Sequence, residues 1–126
     1  MFLACQYGSV KLVERIIATG AAKIDQTDQD NWSPLFIACL RGHTKVVEKL
    51  LEVGADPEIR ENRFGWTPLL ATCFAGHAEI ARMLIAHAAK IGSYMWVVQI
   101  LRCHNFRFYS RTATSLDVGK KILDGI

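Results

Sequence analysis

The sequence predicts an all-α fold, a solenoid of helix–turn–helix repeats joined by hairpin-like loops. Three observations lead to this prediction. The 126-residue chain aligns with itself when it is shifted by 34 residues, and then again by the same offset. Helix-capping residues recur at the same place in successive units. Apolar residues also recur at the three- and four-residue spacing of a helix with one buried face.

The repeat is visible in two segments of each unit. The first segment covers residues 2–8, 36–42 and 70–76. Its three copies share a cysteine, a final glycine and several apolar positions. The second segment follows directly and covers residues 10–17, 44–51 and 78–85. Because one offset relates both segments in three units, we interpret the chain as a tandem array.

The first helix of a unit has clear start and stop signals. Ser33-Pro34 and Thr67-Pro68 each combine a hydroxyl N-cap with a proline at the first helical position, where the missing N–H costs nothing. Gly42 supplies the left-handed residue that commonly ends a helix. The sequence therefore predicts a short helix between these signals.

The second helix is predicted from its apolar spacing. Val46, Val47, Leu50 and Leu51 recur on one helical face, and Gly54 follows them. Residues 56–64 carry Pro57 and many charged side chains, which is typical of an extended loop or hairpin that leads to the next unit.

These segments resemble the ankyrin repeat. Residues 33–38 read Ser-Pro-Leu-Phe-Ile-Ala, residues 67–71 read Thr-Pro-Leu-Leu-Ala, and residues 42–56 contain Gly-His and Leu-Leu-Glu-Val-Gly-Ala-Asp. They are similar to the family's Thr-Pro-Leu-His-x-Ala, Gly-His and Leu-Leu-Gly-Ala-Asp motifs, and the resemblance covers residues 1 to about 91. Phe36 and Leu70 replace the motif histidine. The spacing of 34 instead of the family's 33 predicts one extra residue in each loop.

We expect a single ankyrin repeat domain over residues 1–126. It divides into a truncated repeat (1–29), two repeats (30–63 and 64–92) and a degenerate or irregular unit (93–126). The first unit lacks the preceding turn and hydroxyl cap, so we expect a fragment of a longer array or a truncated gene model. Within the last unit, residues 94–101 form an apolar run that fits a helix, a strand or a docking segment, and residues 114–119 resemble a degraded repeat start.

Composition excludes several classes of protein. A chain that is 51% apolar is too hydrophobic to be disordered, and its apolar runs are too short for a spanning helix. Four cysteines are too few for a disulfide-stapled miniprotein. We therefore expect no membrane insertion and a cytoplasmic location, with the nucleus as an alternative.

The candidate chemical groups favour a structural interpretation. Cys5, Cys39 and Cys73 share one repeat position, and elements stacked about 10 Å apart cannot form disulfides. Cys103-His104 has too few neighbouring ligands for zinc. The resemblance implies that His43 and His77 anchor turns through hydrogen bonds. Because phosphate-loop and nucleophile-elbow motifs are also absent, the sequence predicts no enzyme, no cofactor and no metal site.

The resemblance implies a concave partner-binding surface formed by the hairpin tips and by exposed positions of the first helices. Mapped by register, these positions carry residue types that are enriched in binding hot spots. The predicted partner-binding residues are Tyr7, Trp32, Leu40, Arg41, Arg63, Trp66 and Phe74. The alternative for the two tryptophans is that they pack on each other or cover the turn. The resulting main hypothesis is a non-catalytic scaffold that binds a partner protein.

Other hypotheses remain open. Residues 80–126 hold 7 basic and 2 acidic side chains, whereas residues 1–79 hold 8 and 10, so the C-terminal part is an alternative binding site for nucleic acid or another polyanion. Phe106, Phe108 and Tyr109 lie among its arginines, as stacking residues do. The chain is alternatively a regulatory fragment of a larger enzyme. The uncapped end at Phe2 and Leu3 predicts self-association.

Overall fold

The computed structural model describes residues 1–20 and 23–90, and every regular element in these ranges is an α-helix. Six helices occur there, in the order α1 (Phe2–Tyr7), α2 (Val10–Thr19), α3 (Pro34–Arg41), α4 (Thr44–Glu52), α5 (Pro68–Ala75) and α6 (Ala78–Lys90). The two helices of each pair are separated by only two residues, so the chain reverses direction within each pair.

The helices form two layers. An inner layer contains α1, α3 and α5, and each of these contacts its neighbour along the row. An outer layer contains α2, α4 and α6, which contact one another in the same way. Each inner helix also contacts the outer helix of its own pair. This arrangement confirms the predicted all-α repeat solenoid.

Hydroxyl caps begin the inner helices as the sequence indicates. Oγ of Ser33 accepts a hydrogen bond from the backbone N–H of Phe36 at 3.1 Å. Oγ1 of Thr67 accepts the equivalent bond from Leu70 at 3.4 Å. These bonds satisfy N–H groups that have no partner within the helix, so each inner helix starts at a defined residue.

The hydrophobic core lies between the two layers. Val46, Val47 and Leu50 of α4 are fully buried, as are Ala38 and Cys39 of α3. Residues 34–39 of α3 are all buried, because α1 and α5 flank this helix and α4 covers it. The loop turns come directly before α3 and α5, so the packing of these helices also sets the positions of the turns.

The two loops accommodate their length differently. The first loop joins α2 to α3 and its turn starts at Asp28, and the second joins α4 to α5 and its turn starts at Glu61. Gly20 and Gly54, which follow α2 and α4, are 34 residues apart in the sequence. Asp28 and Glu61 are only 33 residues apart. The first loop thus has one more residue before its turn. The second loop has one more residue within its turn. Its closing backbone hydrogen bond joins Glu61 to Trp66, five residues later, whereas the equivalent bond of the first loop joins Asp28 to Trp32, four residues later.

Several sequence-based predictions fall on the remaining residues. The apolar run at 94–101, the Cys103-His104 pair, the basic and aromatic residues at 102–111 and the degraded repeat start at 114–119 lie outside the described residues. Within residues 1–20 and 23–90, no group of three metal-binding side chains comes together. In the same ranges, every helix is too short or too polar to cross a lipid bilayer.

Candidate functional site

A groove opens where the two loop turns meet α3 and α5. We call it the aromatic groove, and it encloses about 400 Å³. Five aromatic rings, one leucine, two carboxylates and one guanidinium line it: Asp30, Trp32, Phe36, Leu40, Glu61, Arg63, Phe64, Trp66 and Phe74. Its volume lies at the lower end of the range for ligand sites in proteins, so the groove has room for a long side chain with its adjoining backbone.

A carboxylate holds the first turn in shape. Oδ1 of Asp28 accepts hydrogen bonds from the backbone N–H groups of Asp30 at 3.0 Å and Trp32 at 2.8 Å. The backbone N–H of Asp28 in turn donates to the carbonyl oxygen of Trp32 at 3.2 Å. Asn31 adopts a left-handed conformation with φ of 61°, which asparagine tolerates better than most residues. The Trp32 backbone is therefore fixed at the edge of the groove.

A more deeply buried carboxylate holds the second turn. Glu61 is only 4% exposed. Its Oε2 accepts from the backbone N–H of Arg63 at 2.7 Å, and its Oε1 accepts from those of Phe64 at 2.7 Å and Trp66 at 2.9 Å. The turn that carries these three groove residues is thus wrapped around one side chain.

Two opposing effects act on the protonation of Glu61. Burial raises the pKa of its carboxyl, but hydrogen bonds from the backbone N–H groups of Trp66, Phe64 and Arg63, with the N–H of Gly65 nearby, outweigh burial and hold the pKa below its usual value. Donors that point at the charged form favour that form. Glu61 therefore stays ionised at neutral pH, and its negative charge is a permanent feature of the groove wall.

Hydrogen bonds also join the two turns to each other. The backbone N–H of Asn62 donates to the carbonyl oxygen of Asp30 at 2.9 Å. Nδ2 of Asn31 donates to the carbonyl oxygen of Arg60 at 2.7 Å. Within the second loop, Nη1 of Arg60 donates to the carbonyl oxygen of Gly65 at 3.2 Å. The groove wall is consequently one connected unit that extends over two repeats.

The aromatic rings pack within their own repeats. Trp32 lies 5.1 Å from Phe36, measured between ring centroids, with the planes tilted by 53°. Trp66 lies 5.6 Å from Phe64 and 5.1 Å from Phe74. These distances are typical of favourable tilted ring pairs. Each indole thus packs on phenylalanine and also lines the groove.

Five of the seven predicted partner-binding residues lie together. Trp32, Leu40, Arg63, Trp66 and Phe74 all line the aromatic groove. The other two, Tyr7 and Arg41, do not line it and are exposed at the ends of α1 and α3.

Four groove residues are not among the seven predicted partner-binding residues: Asp30 and Phe64, which the sequence places at the loop tips, and Phe36 and Glu61. Trp32 precedes Ser33, the N-cap of α3, so helical spacing alone does not place Phe36 beside it.

The three repeated thiols are buried. Cys5, Cys39 and Cys73 are all buried within the core. Burial raises the pKa of Cys5 to about 11 and that of Cys39 to about 12, although a hydrogen bond with Thr72 opposes the rise at Cys39. Thiols with such a high pKa are poor nucleophiles and poor metal ligands at neutral pH. Cys5 and Cys39 therefore act as small apolar packing groups.

A family comparison agrees with this architecture. A family model described as ankyrin repeats, in three copies, matches residues 1–95 of the chain. The chain belongs to the ankyrin repeat family. A comparison with curated proteins found no match. Ankyrin repeats are generally protein–protein interaction modules and are typically non-catalytic.

Proposed function

We propose that this chain binds a partner protein through the aromatic groove. The observation that carries the proposal is the convergence of five aromatic rings on one open cavity. Phe64 is 60% exposed and Phe74 is 43% exposed, although large apolar rings gain free energy when they leave water. Clustered, half-exposed aromatic side chains are typical of the anchors that carry most of the binding free energy in interfaces.

The hydrogen bonds around the groove support the same proposal. The carboxylates of Asp28 and Glu61 hold the backbone of Trp32 and Trp66, respectively, before any partner arrives, and hydrogen bonds join the two turns. A partner then loses less free energy to ordering of this surface than it would on a mobile loop. Tyr7 and Arg41 lie on the same inner layer, and we propose that they contact a partner segment that extends beyond the groove.

Selection of binding peptides tests the proposal. A displayed library of random peptides is selected on the immobilised protein, and the dissociation constants of the selected peptides are measured by calorimetry. We expect Trp66→Ala to weaken binding by roughly 2 kcal/mol, about a 30-fold rise in Kd. Phe64→Ala, which removes a largely exposed ring, should weaken it as well.

A matched control lies on the outer layer. Glu48 of α4 forms an exposed pair with Lys45 at 3.8 Å, and Glu48→Ala should leave peptide affinity unchanged. If no peptide is selected, or if the selected peptides bind folded Trp66→Ala and Phe64→Ala as tightly as the original chain, the groove is not the binding site.

Self-association is a second proposed interaction, at the α1–α2 end. Leu3 is 67% exposed and Leu12 is 44% exposed, whereas their counterparts one repeat later, Ile37 and Val46, are 9% and 0% exposed. Since the preceding helix pair covers those counterparts, the α1–α2 face has the shape and polarity of a repeat-stacking surface. We propose that a second copy of the chain covers it.

Sedimentation velocity tests this second proposal. The original chain should form dimers as its concentration rises, and Leu12→Lys should remain monomeric. Equal behaviour of the two proteins would contradict the assignment of this face.

Three further proposals rest on the sequence. The basic excess of residues 80–126 supports polyanion binding as an alternative function, which a steep salt dependence of binding to a nucleic acid would support. A regulatory role within a larger enzyme is a further alternative, and the full transcript would decide it.

We also propose a cytoplasmic or nuclear location, where a reducing environment keeps thiols reduced. Imaging of a tagged chain tests this location.

A further inference from the structure

More negative than positive side chains line the aromatic groove. Two carboxylates, those of Asp30 and Glu61, and one guanidinium, that of Arg63, line it. The pairs Lys45–Glu48 and Lys49–Glu52 lie on the outer layer, and within the part of the chain that the structure describes neither Asp30 nor Glu61 forms an ion pair. The groove of the free protein therefore carries a net negative charge.

The rings add to this preference for positive charge. The faces of tryptophan and phenylalanine rings carry partial negative charge and attract cations that lie within about 6 Å of the ring centroid. One such contact already exists at the rim, where Cζ of Arg63 lies 5.3 Å from the centre of the Phe64 ring. Trp32, Trp66 and Phe74 offer further aromatic surface inside the groove.

We infer that the aromatic groove selects a partner segment that inserts a lysine or arginine side chain, with its alkyl stem between the rings and its cation near Asp30 and Glu61. The inference rests on the proposed function and names the chemistry of the partner. An acidic side chain would be repelled by two carboxylates. A purely apolar one would remove the Asp30 carboxylate from water without supplying a counter-charge.

The size of the groove limits the occupant further. A cavity of about 400 Å³ accepts one long side chain with its flanking backbone, not the face of a folded domain. The charged end of lysine or arginine and its apolar stem match a site that combines carboxylates with rings, because such side chains bury the stem while the head stays polar. A basic, locally extended peptide is therefore the expected occupant.

The inference is tested with peptides selected on the groove, meaning those that lose affinity when Trp66 is replaced by alanine. They should be enriched in lysine or arginine at one position. In a matched series, that position carries lysine, arginine, norleucine or glutamate, and Kd is measured by calorimetry. We expect the lysine and arginine peptides to bind about tenfold more tightly than the norleucine peptide, and the glutamate peptide to bind most weakly.

A charge variant of the protein completes the test. The carboxylate of Asp30 is exposed, and Asp30→Asn keeps the backbone bonds that this residue makes. It should weaken the lysine peptide several-fold and slightly tighten the norleucine peptide, because no unpaired carboxylate is then removed from water, whereas Glu79→Gln on the outer layer should change neither affinity. Equal affinity of the norleucine and lysine peptides would overturn the inference and leave the groove as an apolar protein-binding site. Failure of the selection itself would instead count against the proposed function.

Discussion

Nε2 of His43 donates a hydrogen bond of 2.8 Å to the carbonyl oxygen of Gln6, so the turn of the second repeat is tied to the end of α1 in the first. The imidazole also lies over Gly8, where an added Cβ would clash with Nδ1. His77 lies over Gly42 in the same way, with 2.5 Å between its Cε1 and an added Cβ. Histidine and glycine of successive repeats thus form an interlocking column.

Replacing His43 should weaken the coupling between repeats. His43→Ala removes the bond to Gln6 and the ring that covers Gly8, and we expect the free energy of unfolding to fall by about 1 kcal/mol. Chemical denaturation followed by circular dichroism measures this. Lys45→Ala, close in sequence but exposed, should change stability by less than about 0.5 kcal/mol. Equal effects would show that the histidine bond contributes nothing.

Gly42 and Gly54 provide a matched pair for the glycine column. Both have positive φ, 79° and 89°, but an added Cβ meets the His77 ring at Gly42 and nothing within 4 Å at Gly54. Gly54→Ala should therefore cost only the strain of the left-handed conformation, about 1–2 kcal/mol. Gly42→Ala should cost about 1–3 kcal/mol more because the ring must move. Similar denaturation midpoints for the two variants would contradict the close approach of His77.

Glu61 should make stability depend on pH. Because its pKa is lowered in the folded chain, its ionised form stabilises the fold above the unfolded value of about 4.3, and this stabilisation is lost as pH falls through the folded pKa. Glu61→Gln should destabilise the protein at pH 7 by about 1–3 kcal/mol, since a charged acceptor of three backbone N–H groups is lost.

The pH dependence of Glu61→Gln is measured by denaturation between pH 7 and pH 3. The variant should lose less stability over this range than the original chain does. Glu48→Gln, which changes an exposed carboxylate, should retain the pH dependence of the original chain. Parallel curves for the original chain and Glu61→Gln would show that the hydrogen-bonded carboxylate does not stabilise the turn.

The buried thiols should react only when the repeats open. With pKa values of about 11 and about 12, Cys5 and Cys39 are almost entirely protonated at pH 8, and their burial blocks access. Iodoacetamide modification of a Cys103→Ser variant, followed by mass spectrometry, should be slow in buffer and rapid in denaturant. Fast modification of Cys39 under native conditions would mean that the inner helices separate readily.

Much of the fold is predictable from the sequence for local reasons. Ser33-Pro34 and Thr67-Pro68 each specify a cap whose geometry depends on a few adjacent residues, and both caps form as expected. The stripe of Val46, Val47 and Leu50 requires only helical periodicity, and these side chains are fully buried. The 34-residue offset then relates these local features to one another.

The groove is less predictable because it depends on contacts between loops. Trp32 and Trp66 share a register position, and the repeat register predicts that they lie on one surface together with Arg63. All three line the groove. Glu61 carries no such signal: an acidic residue in a charged loop is ordinarily solvated, and its burial depends on the turn that closes around it. Tyr7 was predicted by the same register, but it lies on α1, which contributes no residue to the groove.

The central claim, that partners bind in the aromatic groove, is tested most directly by nuclear magnetic resonance on the intact chain. A peptide selected on the protein is titrated into an isotope-labelled sample, and the indole signals of Trp32 and Trp66 are assigned with Trp→Phe variants. We predict that these indole signals and the backbone amides of residues 61–66 shift most, while the amides of α2 and α4 stay nearly unchanged. Shifts concentrated on the outer helices, with both indoles unaffected, would contradict the account.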